Sequence, residues 1–194
     1  MAEEDVRGSP GPCVAVVGVG NTLFGDDGIG YCIVEALNAL EAAHQGRLRL
    51  EALERLTPGS IDVLDGCGYA VFVDAYHPDA MPHGADVAIV EVDPSRLEPL
   101  DASVYIEGLD PHGVDPLGLV VLARSAGVFG GKAWIVGVRA SRVEFARGLS
   151  EDALGRVAKA VEALQAILGR LGLRLDPSPG AVAEWVRRHC LGSL

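Results

Sequence analysis

Cys13-Val14-Ala15-Val16-Val17 runs directly into Gly18-Val19-Gly20-Asn21-Thr22-Leu23-Phe24-Gly25-Asp26-Asp27-Gly28-Ile29-Gly30, and this junction decides the fold. A short, Val-rich apolar run reads as a strand buried on both faces of a sheet. The glycines after it allow a sharp turn and a close approach of backbone to another group. Two adjacent carboxylates, Asp26 and Asp27, arrive where a helix begins, which makes phosphate a poor guest there. The dinucleotide-binding pattern G-x-G-x-x-G, counted from Gly18, needs a third glycine where this chain has Leu23, so no nucleotide cofactor is expected. Negative charge at the mouth of a strand-loop-helix unit suits a cation, a metal ion or a proton-transfer role instead.

Outward from this junction the same alternation continues. Apolar runs near 13-19, 48-53, 70-75, 86-92 and 133-138 predict strands. Ile29, Cys32, Ile33, Ala36, Leu37 and Leu40 keep helical spacing over 28-44, with Gly46 as a stop. Thr57-Pro58 and Asp115-Pro116 read as helix starts, opening helices over about 58-66 and 116-126. Ser150-Glu151-Asp152 opens the longest helix, whose Leu154, Val157, Val161, Leu164, Ile167 and Leu168 share one side. The order β-α-β-α-β-β-α-β-α predicts an α/β fold with three layers, α/β/α, around a central mixed, mainly parallel five-stranded sheet. The stretch from Asp74 to Asp86 is too short for a helical crossover and predicts one antiparallel strand.

Residues 1-12, acidic and then rich in Gly and Pro, read as a loose tail, and 13-172 as one α/β domain. Residues 173-194 read as a linker and a short helix over 181-192, with Val182, Trp185, Val186 and His189 along one side. That helix either docks a partner or packs back on its own domain. With 49% hydrophobic residues the 194-residue chain has ample material for a core, and a net charge of -11 argues against nucleic acid and anionic membranes as partners. Cys13, Cys32, Cys67 and Cys190 form no C-x-x-C pair and lie mostly in apolar segments, so they are read as core thiols in a reducing cytoplasm. Neither a signal peptide nor a membrane-inserted span is expected from the pattern.

In open α/β sheets, ligands gather where loops leave the carboxyl ends of strands. Three side chains fit: Asp27 after the first strand, Asp74 at the end of Tyr69-Ala70-Val71-Phe72-Val73, and His112 in Asp110-Pro111-His112-Gly113. Two carboxylates and an imidazole form an incomplete ligand set that leaves positions open for water or a substrate group. Each has a plainer reading: an acid at 26 or 27 caps the following helix, with Asp26 taken as the cap; Asp74 terminates a turn; His112 is an ordinary loop residue. His77 and His83 are read as exposed and without a role. G-x-S-x-G, H-E-x-x-H and a Cys-His nucleophile pairing are all absent, so covalent hydrolase chemistry has no support.

These residues carry a resemblance. Gly18 to Gly30 resembles G-x-G-N-x-L-x-x-D-[DE]-G-x-G, the opening motif of the hydrogenase maturation endopeptidases, which trim the large subunit of nickel-iron hydrogenases. Val73-Asp74-Ala75 resembles the segment of the family's second acid, and Pro111-His112-Gly113 with Val120-Val121-Leu122-Ala123 its histidine segment and helix. Ile135-Val136-Gly137-Val138, Glu144-Phe145 and Gly148-Leu149-Ser150 resemble the last strand and the lead into the final helix, so the resemblance spans 13 to about 170. It implies a metal-dependent, aspartic-type endopeptidase with Asp27, Asp74 and His112 as metal ligands and catalytic residues. It also implies a nickel-iron hydrogenase large-subunit precursor as partner, which brings the nickel as recognition signal and loses its C-terminal peptide. A non-catalytic checkpoint or chaperone that holds the precursor at its nickel site is the alternative, and a nucleotide-dependent enzyme a third. The chain departs from the family at Arg55-Leu56-Thr57-Pro58-Gly59, where many relatives have Gly-Gly-Thr, and at Arg139-Ala140-Ser141, where they have a proline- and acid-containing stretch. Both departures bear on the choice of partner.

Overall fold

A computed structural model describes residues 12-40, 46-77, 84-93, 113-145 and 148-191. Its strands are β1 (Cys13–Val19), β2 (Leu48–Leu53), β3 (Cys67–Tyr76), β4 (Val87–Val92) and β5 (Lys132–Arg139). Its helices are α1 (Ile29–Ala39), α2 (Pro116–Ser125), α3 (Glu151–Leu154), α4 (Val157–Arg170) and α5 (Pro179–Cys190). The sheet order is β2-β1-β3-β5-β4, with β1 parallel to β2 and β3, β3 parallel to β5, and β4 antiparallel to β5. The expected mixed, mainly parallel five-stranded sheet is therefore present, with the antiparallel strand where the short 74-86 connection requires it.

Alternation along β1 shows why the sheet needs two covering layers. Val14 and Val16 join one apolar cluster with Ile33, Leu37, Val161, Leu164 and Leu168, on the side of α1 and α4. Ala15 and Val17 join another with Leu56, Leu64, Leu119, Val120 and Phe129, on the side of α2. Along β1, residues from Val14 to Val19 are thus buried whichever way they point, as an unbroken apolar run in a central strand demands, whereas the edge strand β4 leaves Ile89 and Val90 exposed.

Three element predictions need correction. The segment expected as a helix over 58-66 is a 3-10 turn, Pro58–Leu64, closed by a reciprocal bond between Thr57 and Ser60. Proline followed by glycine starts a turn easily but leaves too few good helix formers to propagate it. The helix expected to run unbroken from Ser150 is interrupted at Gly155-Arg156, leaving α3 and α4 as separate pieces. The cysteines are not core thiols but two pairs, Cys13 with Cys67 and Cys32 with Cys190. No local spacing could reveal this, because the partners lie 54 and 158 residues apart. The first pair follows from the register of β1 on β3, where Cys13 stands opposite Cys67, and the second from the return of α5 onto α1.

That return decides the role of the C-terminal helix. Ser178 caps α5 by accepting from the Ala181 amide, and Pro179 occupies its first turn. Val182 and Val186 are wholly buried in the α1/α4 cluster, so α5 packs on its own domain.

Candidate functional site

The parallel strands end together, and the chain leaves β1 toward β2 on one side while β3 lies on the other. Such a reversal of strand order opens a crevice at the carboxyl edge of the sheet. Here the crevice is wedged by the start of α1. A side-chain carbon on Gly30 would fall 2.0 Å from the Val73 carbonyl oxygen and 2.5 Å from that of Val19, so only glycine lets the helix begin between β1 and β3. Gly20 has φ 135°, and a side chain there would strike the Asp27 carbonyl oxygen at 1.7 Å. The loop is consequently pressed flat, and Asp27 is held by the Asn21 amide, which donates to its Oδ2 at 2.8 Å.

Asp26 turns the other way. It is completely buried, and its carboxylate accepts from the Ser141 and Arg142 amides at 2.8 Å each, the Ser150 amide at 2.7 Å and the Ser150 hydroxyl at 2.9 Å. It does not cap the helix, as the sequence suggested, because its side chain meets donors from the loop after β5 and from the start of α3. Charge-assisted bonds from four donors offset the dehydration of a buried carboxylate. Ser141 and Arg142 donate through their backbone amides, while the Ser141 hydroxyl accepts from Arg156.

Asp74 sits near the end of β3, partly buried, opposite Gly137 of β5. Its Oδ1 accepts from the Ala75 amide at 2.8 Å. Burial raises its carboxyl to about 7; the Ala75 hydrogen bond opposes this, and the charges of Asp27 and Asp115 add to it. Asp27 and Asp74, 47 positions apart in sequence, are therefore close enough to feel each other's charge. His112 lies outside the described residues, as does His83. The chain immediately after His112 is anchored by the Val114 amide, which donates to the Leu56 carbonyl at 3.1 Å, within a segment that departs from the family. His77 is exposed at the end of β3.

Beside Asp74 lies a cavity of about 650 Å³, bordered by Tyr76, Val90, Glu91, Asp115, Leu117 and other residues of β3, β4 and α2. Asp115 was legible as a helix cap, and it does cap α2 through the Gly118 amide at 2.6 Å, but its charge also reaches Asp74 and Tyr76. Tyr76 was missed. Period-two alternation places it on the same face as Asp74, and its phenol is raised by burial and then by the Asp74 and Asp115 charges. Its ring lies across Gly137, where a side-chain carbon would sit 2.3 Å from the ring.

The structure can be set beside known ones at this point. It is similar to the hydrogenase maturating endopeptidase HybD from E. coli, with 22% identity, a TM-score of 0.64, and coverage of 84% of this chain and 95% of that one. It is also similar to a hydrogenase 2 maturation peptidase from Thaumarchaeota archaeon SCGC_AB-539-E09, with 25% identity, a TM-score of 0.55, and coverage of 84% and 99%. The fold is that of the hydrogenase maturation endopeptidases. A third such structure, the [NiFe] hydrogenase maturation protease HycI from Thermococcus kodakarensis KOD1, has 21% identity, a TM-score of 0.53, and coverage of 81% and 93%. No family model and no curated protein matches the chain. In the maturation-endopeptidase fold as this chain builds it, one carboxylate comes from the β1 loop and one from the end of β3, both at the reversal of strand order. Two carboxylates close enough to act on each other's charge are hard oxygen donors of the kind that suits a divalent cation, although no cluster of three or more such ligands occurs among the described residues.

Proposed function

We propose that this chain is a cytoplasmic endopeptidase that removes a C-terminal peptide from the large-subunit precursor of a nickel-iron hydrogenase, recognising nickel already seated in that precursor. The observation that carries the reading is the convergence of Asp27 and Asp74 at the strand-order reversal, on a fold shared with hydrogenase maturation endopeptidases. No described helix is long and apolar enough to cross a membrane, which is compatible with this setting.

In this reading the ion arrives as part of the substrate, and Asp27, Asp74 and His112 complete its coordination when the precursor docks. A bound divalent ion polarises a carbonyl or activates water. Asp27 is pre-aimed by the Asn21 amide, which fixes its orientation before the substrate arrives. Asp74, whose carboxyl titrates near neutrality, is suited to take a proton and return it. The adjoining cavity gives the chain on either side of the scissile bond a place to lie.

Mixing purified protein with nickel-loaded precursor and following the precursor by mass spectrometry tests this. Loss of one C-terminal peptide is expected, with cleavage abolished or reduced at least about 100-fold by Asp27→Asn, Asp74→Asn and His112→Ala. Full cleavage by all three variants would defeat the assigned roles. A stable complex with uncut precursor would instead favour the checkpoint reading.

A further inference from the structure

Three consecutive residues, Gly148, Leu149 and Ser150, connect parts of the molecule that are otherwise separate. The Gly148 amide donates to the Thr22 carbonyl in the loop after β1 at 3.0 Å. The Leu149 amide donates to the Cys190 carbonyl at the end of α5 at 2.7 Å, and Leu149 pairs with Leu191 as an isolated parallel bridge. Ser150 gives Asp26 both its amide and its hydroxyl. The C-terminal helix, the buried carboxylate and the loop that carries Asp27 are therefore tied through one short strap.

Cys190 is the residue at which this strap meets α5, and it is also joined to Cys32 of α1. Cys32 is wholly buried, whereas Cys190 is partly exposed and borders a cavity of about 430 Å³ with Thr22, Leu23, Tyr31 and His189. A thiol can reach the bond from the Cys190 side. The other disulfide differs in position: Cys13 and Cys67 join β1 to β3 at the starts of both strands, the far end of the sheet from Asp74. Disulfides are uncommon in a reducing compartment, and those found there are commonly redox-sensing or catalytic.

We propose that the Cys32–Cys190 disulfide is a redox-controlled brace, which positions the Asp26-Asp27 loop by holding α5 against residues 148-150 and so regulates the proposed cleavage. The regulatory half of this inference rests on the peptidase reading; the structural half does not. In the reducing direction, a dithiol attacks the Cys190 sulfur as thiolate. The S–S bond breaks, the Cys32 thiolate leaves, and a mixed disulfide forms on Cys190. The second thiol of the reductant then displaces Cys190, closing the reductant's own disulfide. Two electrons and two protons pass in all from the dithiol to the Cys32–Cys190 bond, so each cysteine sulfur finishes as a thiol and the reductant as a disulfide. The freed end of α5 no longer fixes the Cys190 carbonyl, Leu149 loses its acceptor, and Ser150 loses its anchor beside Asp26. Cys190 and Ser150 are positioning residues in this scheme and touch no substrate.

The test uses the full chain carrying Cys13→Ala and Cys67→Ala, so that only Cys32–Cys190 responds to dithiothreitol; the wild-type chain and a Cys190→Ser variant run in parallel in case the double variant folds poorly. Amide hydrogen exchange of Leu149, Ser150, Ser141 and Arg142 is expected to accelerate at least tenfold on reduction and to recover on reoxidation, while β1 and β3 amides stay protected. Precursor cleavage is expected to lose at least tenfold in kcat, with KM nearly unchanged, and to recover likewise; Cys190→Ser should stay in the slow state under both conditions. Unchanged exchange at those four amides would overturn the brace. Cleavage that ignores the redox state while exchange responds would overturn its regulatory role. If exchange responds but no precursor is cut in either state, the peptidase reading fails and the brace stands.

Discussion

Asp26 and Asp74 are both carboxylates beside Asp27, and the molecule treats them in opposite ways. Asp26 is sealed from solvent yet receives four hydrogen bonds, from the loop after β5 and the start of α3. Asp74 is less deeply placed; its Oδ1 accepts from the adjacent Ala75 amide, and two like charges act on it. The first arrangement spends a charge on tying three segments together. The second leaves a carboxylate whose hydrogen bond among the described residues is the one from Ala75, in an environment of like charge that a cation or a proton would relieve. Burial of a charge is thus no guide to function by itself; hydrogen-bond capacity left open at a strand end is the better one.

The comparison breaks most visibly at Asp26. Asp26→Ala leaves three amides and a hydroxyl facing a void, and stability is expected to fall by about 3 kcal/mol or more, read as a lowered urea midpoint. Ser150→Ala removes one donor of the four and the α3 cap together, for a loss of about 1–2 kcal/mol. At Asp74 the sign reverses. Because its carboxyl is raised to about 7 in the folded chain, the folded state holds a proton that the unfolded state has already released between about pH 4 and 7. The stability it contributes is full below about pH 4 and is lost as the pH rises through 7. Asp74→Asn cannot ionise, so the variant should match the wild type near pH 4 and exceed it by on the order of 1–3 kcal/mol at pH 8, while losing the proposed activity. Urea titrations at both pH values check this; a variant less stable than the wild type at pH 8 would mean that the ionised carboxylate is well accommodated.

How much of this the sequence could show depends on whether a feature is local. The unbroken apolar runs specify strands buried on both faces, and the 74-86 spacing specifies the antiparallel edge, because both are consequences of chain geometry over a few residues. Asp74 could be nominated because it directly follows an apolar run and Asp27 because it lies in the loop that leaves one, and the structure brings them into each other's field. Asp26 was misread for the reason that makes it interesting: its partners are 115 to 124 residues away, and local rules offer only the nearby helix to cap. The disulfides were missed for the same reason. Tyr76 had a usable signal, its two-residue spacing from Asp74 along one strand, but its placement over Gly137 depends on the β3–β5 register.

A third carboxylate calibrates the other two with a smaller effect. Asp86 precedes β4 and accepts from Lys159 Nζ at 2.5 Å, Arg139 Nη2 at 2.8 Å and Arg156 Nε at 3.2 Å. The Lys159 and then the Arg156 hydrogen bonds hold its carboxyl down at about 2. Its linkage therefore runs opposite to that of Asp74: the stabilisation is present above about pH 4 and is lost as the pH falls toward 2. Its side chain is 28% exposed, so screening keeps the gain small, and Asp86→Ala is expected to cost about 1 kcal/mol near pH 7 and almost nothing near pH 2. Arg156 limits the damage, since it keeps bonds to the Arg139 carbonyl at 3.1 Å and the Ser141 hydroxyl at 2.8 Å. Those bonds also make the site informative about Asp26, because the Ser141 amide is one of its donors. Combining Asp86→Ala with Asp26→Ala should give less than the sum of the single losses, by about 0.5 kcal/mol or more, if Arg156 carries the coupling through Ser141. Strict additivity would show that the Asp26 pocket is set by Ser150 and the tail, independently of the ion-pair cluster on the far side of Ser141.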